Sequence, residues 1–479
     1  MTSLDHKFAP IRQAMQADGL PELAIRTFRH YFEQLAGGGT GLLTEADIRP
    51  VESVPDLESL PRSDAPQSDA LRRCVMIKLN GGLGTSMGLD QAKSLLPARE
   101  NLSFLDLIAR QVLHLRSASG HAVPLLLMNS FATDRDSLAA LERFPELLAG
   151  QRPLPPSFLQ HRVPRLDPET LAPIAWPDAP QREWCPPGHG DLYTALAATG
   201  LLRQLLAQGF RYAFVSNADN LGATLDPAIL DWMARERIPF VMEVTDRTPA
   251  DRKGGHLALD GDGRLRLRES AQCPADERDR FQDIERYRYF NTNNLWLDLQ
   301  ALSTELERRE GVLGLPMIRN LKHVVPEDAS TPRAVQVETA MGSALEIFPD
   351  ARILRVPRSR FAPVKTTSDL LVLWSDRYRL DPSGQLYPVC ENALRVDLDP
   401  AFYATVDAFR QRFAHGAPSL AAAESVSIRG DIRFEGGVVL RGDVRLVNDG
   451  PAARIIAAGS VIDGRQESSR LQTGEIRSV

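Results

Sequence analysis

The segment Lys78-Leu79-Asn80-Gly81-Gly82-Leu83-Gly84-Thr85-Ser86-Met87-Gly88 follows an apolar run that begins at Cys74, and Lys93-Ser94 comes just after it. Lacking a Cβ, glycine lets backbone N–H groups close on an anion, so a strand that ends in such a loop is suited to cradling phosphate. A tight strand-to-helix turn without ligand has the same composition. A P-loop would close its glycines with Gly-Lys-Ser/Thr; here Lys93 stands five residues beyond Gly88, which disfavours that class. Only six of the 56 basic residues are lysine (Lys7, Lys78, Lys93, Lys253, Lys322, Lys365). A lysine kept against that bias supplies a compact point charge that the arginine fork cannot imitate at a crowded phosphate, which singles out Lys93 and Lys365.

Three further clusters carry polar chemistry. Pro186-Pro187-Gly188-His189-Gly190-Asp191 sets an imidazole between glycines before a helix, where it can meet a phosphate or a sugar hydroxyl; an unliganded turn histidine reads the same. Ser216-Asn217-Ala218-Asp219-Asn220 ends an apolar strand, so Asp219 is either a helix cap or a carboxylate that holds Mg²⁺ already partly coordinated by phosphate. Phe290-Asn291-Thr292-Asn293-Asn294 offers neutral amides that suit a sugar ring or an Asn-rich turn.

The elements that must position these clusters alternate in kind. Residues 1–70 are helical in parts, with Leu20, Leu23, Ala24, Phe28, Tyr31, Phe32 and Leu35 on one face up to Gly37-Gly38-Gly39, and form an N-terminal packing region. Over 71–385, the strands Val123–Met128, Tyr212–Ser216 and Pro239–Val244 alternate with the helices Phe104–Leu115 and Leu192–Leu206. That alternation predicts an α/β fold with a mostly parallel sheet, whose ligand lies outside the carboxyl ends of the strands, where Gly81–Gly84, Met128-Asn129 and Asn217–Asp219 all fall. A connection over 386–424 leads to a tail, 425–479. There Ile428-Arg429-Gly430-Asp431-Ile432-Arg433-Phe434 is nearly repeated, twelve residues later, by Leu440-Arg441-Gly442-Asp443-Val444-Arg445-Leu446. The repeat predicts stacked coils of a β-helix, and its Arg-Gly-Asp triplets read as turn chemistry rather than adhesion signals.

Composition narrows the class. With 479 residues and 43% hydrophobic content the chain can bury a large core, and a formal net charge of −6 argues against nucleic acid or an anionic membrane as partner. Cys74, Cys185, Cys273 and Cys390 lack CxxC spacing, which argues against zinc and suits a reducing compartment. With no long apolar run and no apolar stretch near the first residue, the expectation is a cytoplasmic protein.

Together, Leu79–Gly88, Gly188–Asp191, Asn217–Ala223, Lys253-Gly254-Gly255, Phe290–Trp296 and Pro363-Val364-Lys365 resemble, in order and spacing over about residues 70–385, the eukaryotic-type UTP–glucose-1-phosphate uridylyltransferases. The related UDP-N-acetylhexosamine pyrophosphorylases usually carry Thr-Arg-Leu-Gly where this chain has Thr85-Ser86-Met87-Gly88, which favours glucose. The resemblance implies a Rossmann-like nucleotidyltransferase domain with a mostly parallel mixed sheet followed by a β-helix-like domain, UTP and glucose 1-phosphate as substrates, and Mg²⁺ as cofactor. It implies that Leu79, Asn80, Gly81, Gly82 and Lys93 bind the nucleotide together with Asn217, Asp219 and Lys365, that Gln160 contacts uracil, and that Met128 and Gly188 lie beside the base. The sugar phosphate would meet Gly81, Gly82, His189, Asn217, Ala218, Asp219, Gly255, Glu269, Asn291 and Asn293, with Asp219 on the metal and Lys365 and Lys93 catalytic. Gln91-Ala92 replaces the family's Gly-Pro before the loop lysine, which leaves the loop's path open. A homo-oligomer through the C-terminal domain is the corresponding expectation for assembly, although the tail is short. A broad-specificity UDP-sugar pyrophosphorylase and a non-catalytic UDP-sugar sensor would share most of these motifs.

Overall fold

The computed structural model describes residues 3–61, 69–151, 153–326, 328–390 and 394–464. A ten-stranded sheet forms its centre. In chain order its strands are β1 (Ile48–Pro50), β2 (Cys74–Asn80), β3 (Leu125–Asn129), β4 (Ser157–Leu159), β5 (Tyr212–Asn217), β6 (Phe240–Asp246), β7 (His256–Asp260), β8 (Leu265–Arg268), β9 (Tyr289–Asp298) and β10 (Arg352–Arg355). They lie in the order β1-β7-β9-β5-β2-β3-β4, with β6 on β9 and β10, and β8 on β7. Pairing is parallel among β5, β2, β3 and β4 and between β6 and β10. It is antiparallel wherever β9 or β7 takes part. The sheet is therefore mixed, as expected, but not mostly parallel: β9 follows the short segments after β7 and β8 and runs back against β5, which no single-strand pattern reveals.

The central strands read as continuous apolar runs because both faces are covered. Along β2, Cys74 and Met76 enter one core cluster while Val75 and Ile77 enter another. β3 divides in the same way, Leu125 and Leu127 on one side and Leu126 and Met128 on the other, as a period of two demands. The helix Phe104–Ser119 covers the first face, entered through a Ser103–Asp106 capping box and ended at left-handed Gly120. On the second face lie Asp191–Ala198 and Leu201–Ala207, two helices where one over Leu192–Leu206 was expected. Gly200 separates them at φ +74°, a conformation outside the helix that glycine adopts without strain. The amino-terminal helices Ser3–Ala17 and Glu22–Ala36 pack Phe8, Ile11, Phe28 and Phe32 against Val163, Leu166, Val335 and Val337.

Beyond residue 394, β11 (Arg395–Leu398), β12 (Ala423–Arg429), β14 (Val439–Val447) and β16 (Val461–Asp463) pair in parallel, and β13 (Ile432–Phe434) pairs in parallel with β15 (Arg454–Ile456). The twelve-residue repeat does not set this stacking. Ile428 pairs with Leu446, Ile432 with Arg454 and Val439 with Val461. The two Arg-Gly-Asp triplets accordingly play different parts: Gly430 turns the chain at φ +79°, while Gly442 lies within β14 at an irregularity of register. Residues 465–479 of the expected tail lie outside the described residues.

These strands bury Ile428, Phe434, Leu440 and Leu446 in the same core cluster as Leu107 and Phe214 of the central layers. Phe409 joins the two parts, fully buried, with ring centroids 5.2 Å from Trp374 and 4.8 Å from Phe413. Phe409→Ala is therefore expected to cost about 3–5 kcal/mol and to lower the midpoint of one shared unfolding transition. Urea unfolding followed by tryptophan fluorescence and far-ultraviolet circular dichroism checks this; two separated transitions would contradict the shared core.

Candidate active site

Register brings three of the clusters together. Leu79 pairs with Met128 on one side and with Asn217 on the other, so the loops after β2, β3 and β5 leave the sheet side by side at its carboxyl edge. The glycine loop then folds back on itself. Leu83 forms an isolated antiparallel bridge with Ala92, and the backbone N–H of Lys93 donates to the Gly82 carbonyl at 3.2 Å. The departure Gln91-Ala92 is thus absorbed, with Ala92 fully buried and Lys93 set beside Gly82. From there Nζ of Lys93 reaches the Asp219 carboxylate at 2.7 Å. A backbone bond from Val364 N–H to the Asp219 carbonyl, 3.2 Å, draws in the segment that carries exposed Lys365.

On the other side of the loop, Gly81 lies against Gln160. A Cβ at Gly81 would come within 2.7 Å of the Gln160 amide, so glycine is required for the two to approach. Gln160 N–H donates to the Asn129 carbonyl at 2.8 Å, and Ser130 Oγ donates to the Gly81 carbonyl at 2.8 Å. The side chains of Asn80 and Met128 both turn inward. Asn80 is buried and donates to Asn129 Oδ1 and Ser137 Oγ, both at 2.8 Å; Met128 is buried in the core.

The amide cluster sits on a bulge. Met242 pairs with Leu295 and Val244 with Asn291, so the backbone of Glu243 faces the extra residues Thr292–Asn294. Asn293 takes φ +58° there, its N–H donating to Asn291 Oδ1 and its Oδ1 accepting from Asn291 Nδ2. Bulges of this kind re-aim side chains next to binding sites. Gly255 accepts from Asn291 N–H and lies so close to Glu269 that a Cβ would come within 2.7 Å of its carboxylate. Burial holds Glu269 above the usual carboxylate range, with the Lys365 ammonium pulling the other way. A Cβ at Gly342 would stand 3.1 Å from Asn291 Nδ2, and the preceding Met341 donates its N–H to His189 Nδ1 at 2.9 Å. The histidine turn is thereby joined to the amide cluster. Gly188, at φ +78°, presses against Thr339, whose carbonyl accepts from Gly190 N–H at 2.9 Å.

The bond from Met341 makes Nδ1 of His189 an acceptor, which leaves Nε2–H as the donor of a neutral ring, and burial pushes its pKa down to about 4. Sequence reasoning did not single out buried Lys78 as a structural residue. Its Nζ donates to Ser216 Oγ at 2.7 Å and to the Ala223 carbonyl at 2.8 Å, bracketing the loop that bears Asn217, Ala218 and Asp219. Burial, with Arg360 adding, lowers its pKa to about 7. The available signal was a lysine inside a run buried on both faces.

Fold and site together define a class: an α/β protein that gathers a glycine-rich loop, Lys93 and Asp219 at the carboxyl ends of parallel strands, with the segment bearing Lys365 drawn in beside them. Residues 25–441 match the family described as UTP–glucose-1-phosphate uridylyltransferase. The potato (Solanum tuberosum) enzyme of that name is 39% identical over 411 residues, 85% of this chain and 83% of its own length. The Saccharomyces cerevisiae enzyme is 39% identical over 404 residues, 84% of this chain and 79% of its own. Among solved structures, a UDP-glucose pyrophosphorylase mutant from Leishmania major in complex with UDP-glucose superimposes with a TM-score of 0.90 at 40% identity, covering 97% of this chain and 99% of that one. A Trypanosoma brucei UDP-glucose phosphorylase gives 0.88 at 41%, covering 95% and 98%. The chain belongs to the UTP–glucose-1-phosphate uridylyltransferase family.

Two outcomes follow from this geometry. Gly81→Ala, which must displace the Gln160 amide, is expected to weaken uridine nucleotide binding by about tenfold, roughly 1.4 kcal/mol, with the melting temperature little changed; calorimetric titration and a thermal melt check it. For His189, the unfolded ring takes up a proton near pH 6.5 and the folded ring only near pH 4, so the unfolded state binds more protons between them. Stability from this group is complete above about pH 6.5 and falls as pH drops toward 4. Thermal melts should show the gap between wild type and His189→Asn narrowing over that window, and kcat/KM should show no His189 ionisation between about pH 6 and 8.

Proposed function

We propose that this chain transfers the uridylyl group of UTP to glucose 1-phosphate, giving UDP-glucose and pyrophosphate. A phosphate oxygen of glucose 1-phosphate attacks the α-phosphorus in line, the bond to the bridging oxygen of the β-phosphate breaks, and pyrophosphate leaves with that electron pair. The nucleophile is already ionised near neutral pH, so no general base is needed, and His189, neutral and donating from Nε2, acts as a binder.

The main obstacle is electrostatic. Each pair of unit like charges about 4 Å apart repels by about 4 kcal/mol at an effective dielectric near 20, so positioned cations govern the rate. The observation that carries this reading is Lys93, held beside Gly82 by its own backbone and paired with Asp219 at 2.7 Å. When phosphates arrive, Lys93 and Lys365 are the charges placed to meet them. Gly81 and Gly82 offer backbone N–H groups, with open space over Gly82. Gln160 reads the base, and Asn217, Gly255, Glu269, Asn291 and Asn293 take the sugar phosphate.

Asp219 fits a cation. Its Oδ2 takes Lys93 while its Oδ1 is buried without a partner, and among the described residues no cluster of three or more metal-binding side chains occurs. A single carboxylate suits Mg²⁺, which keeps waters and takes substrate phosphates as its remaining ligands. When bound, Mg²⁺ would neutralise charge on the transferring phosphoryl group. We also read the parallel coils over 395–464 as a short β-helix able to join copies of the chain, and the free thiols at Cys74, Cys185, Cys273 and Cys390 as fitting a reducing cytoplasm. Among the described residues no helix is long and apolar enough to cross a membrane.

Pyrophosphate release from UTP over a panel of sugar 1-phosphates tests the reading: a strong preference for glucose 1-phosphate supports it, broad use reassigns the sugar range, and UTP binding without release refutes transfer. Lys365→Met, at an exposed position, should fold normally and lose about 10²–10³ in kcat. Turnover near that of wild type would remove Lys365 from the mechanism.

A further inference from the structure

Glu243, in the middle of β6, is fully buried. Its carboxylate accepts from Arg360 Nε at 2.8 Å and from an Arg360 terminal nitrogen at 2.6 Å, from Asn294 Nδ2 at 3.0 Å and from Trp296 Nε1 at 2.9 Å. Four donors fill the acceptor sites of one carboxylate. Desolvating two charges costs several kcal/mol per ion, so a pair this deep is a weak explanation of stability by itself. Its connections are more telling.

Asn294 follows Asn293 on the bulge, and its Nδ2 also donates to the Arg360 carbonyl at 3.2 Å. Asn220, next to Asp219, donates to Asn294 Oδ1 at 3.3 Å and to the Arg360 carbonyl at 3.1 Å, while its own Oδ1 accepts from Ala362 N–H at 3.0 Å. Arg360 also donates to the Thr224 carbonyl at 2.8 Å. Asn220 then bridges Pro363, and Val364 N–H reaches the Asp219 carbonyl. The segments that bear Asn293, Asp219 and Lys365 therefore converge on one carboxylate that touches none of the substrate positions.

We propose that Glu243 is a positioning residue. Through Arg360, Asn294 and Asn220 it sets the separation of Asp219 from Lys365 and aligns both with the sugar-side bulge. The inference rests on the transfer reading and deepens it. Because the network lies on the side of Asp219 away from Gln160, and the glycine loop, Lys93 and Gln160 hold UTP independently of it, its loss lowers kcat by a larger factor than it weakens UTP binding through Asp219 and Lys365.

Glu243→Gln keeps the shape but puts a donor where an acceptor stood, and Arg360→Lys keeps the charge but loses the fork. In folded variants the expected result is a kcat lower by about 10–10²-fold, as misplacement on the order of 1 Å produces, with the UTP dissociation constant within about threefold of wild type. Hydrogen exchange should quicken in 217–223 and 360–366 and stay unchanged in β2 and β3. A kcat within about twofold of wild type, a parallel loss of UTP affinity, or exchange that quickens everywhere would overturn the proposal. So would failure of both variants to fold, since the carboxylate would then be a folding requirement. If wild type itself released no pyrophosphate, the transfer reading would fail, and the exchange measurement would still decide whether Glu243 couples the three segments.

Discussion

Parallel pairing of β2 with β3 and β5 is the constraint on which the rest depends. In a parallel set every strand ends at the same edge, so the loops after Asn80, Asn129 and Asn217 emerge together whatever their sequences. Covering both faces of these strands with helices makes the register rigid, because a slip of one residue would carry Val75 and Ile77 into the wrong core layer. The loops can then be short and polar without losing position.

On that edge the molecule solves a charge problem with few ions. Lys93 and Asp219 hold each other at 2.7 Å, and Asp219 keeps one oxygen free of partners. Antiparallel β9 brings the opposite wall: its bulge sets Asn291 and Asn293, and the same irregularity leaves Glu243 facing inward to hold Arg360. The amide cluster and the buried pair behind it thus arise from one local break in a sheet ladder. The core continues without interruption from these layers into the C-terminal strands, which gives those few short strands apolar support they lack alone.

Much of the site was legible from residue type and spacing. Glycines that permit close approach, lysines kept in an arginine-rich chain and asparagines in a row declare their chemistry locally, and Gly81 against Gln160 and Lys93 beside Gly82 agree with that chemistry. The direction a side chain takes was less legible. Asn80 and Met128 sit within the motif by sequence yet point into the interior, and Lys78 belongs to a buried strand while holding the loop that carries Asp219. The tail misled in a similar way: a twelve-residue likeness between two segments says nothing of which residues stack, and Ile428 in fact pairs with Leu446.

What the sequence by itself determined is therefore the inventory and the local geometry: apolar runs long enough for buried strands, loops able to bend, and the donors and acceptors available at each. Tertiary structure alone decided the partners. Lys93 meets Asp219 across 126 positions, Lys78 meets Ser216 across 138, and Glu243 meets Arg360 across 117. Such pairings depend on strand order and register, which arise from packing the whole chain at once, and a local pattern holds no record of a partner so far away.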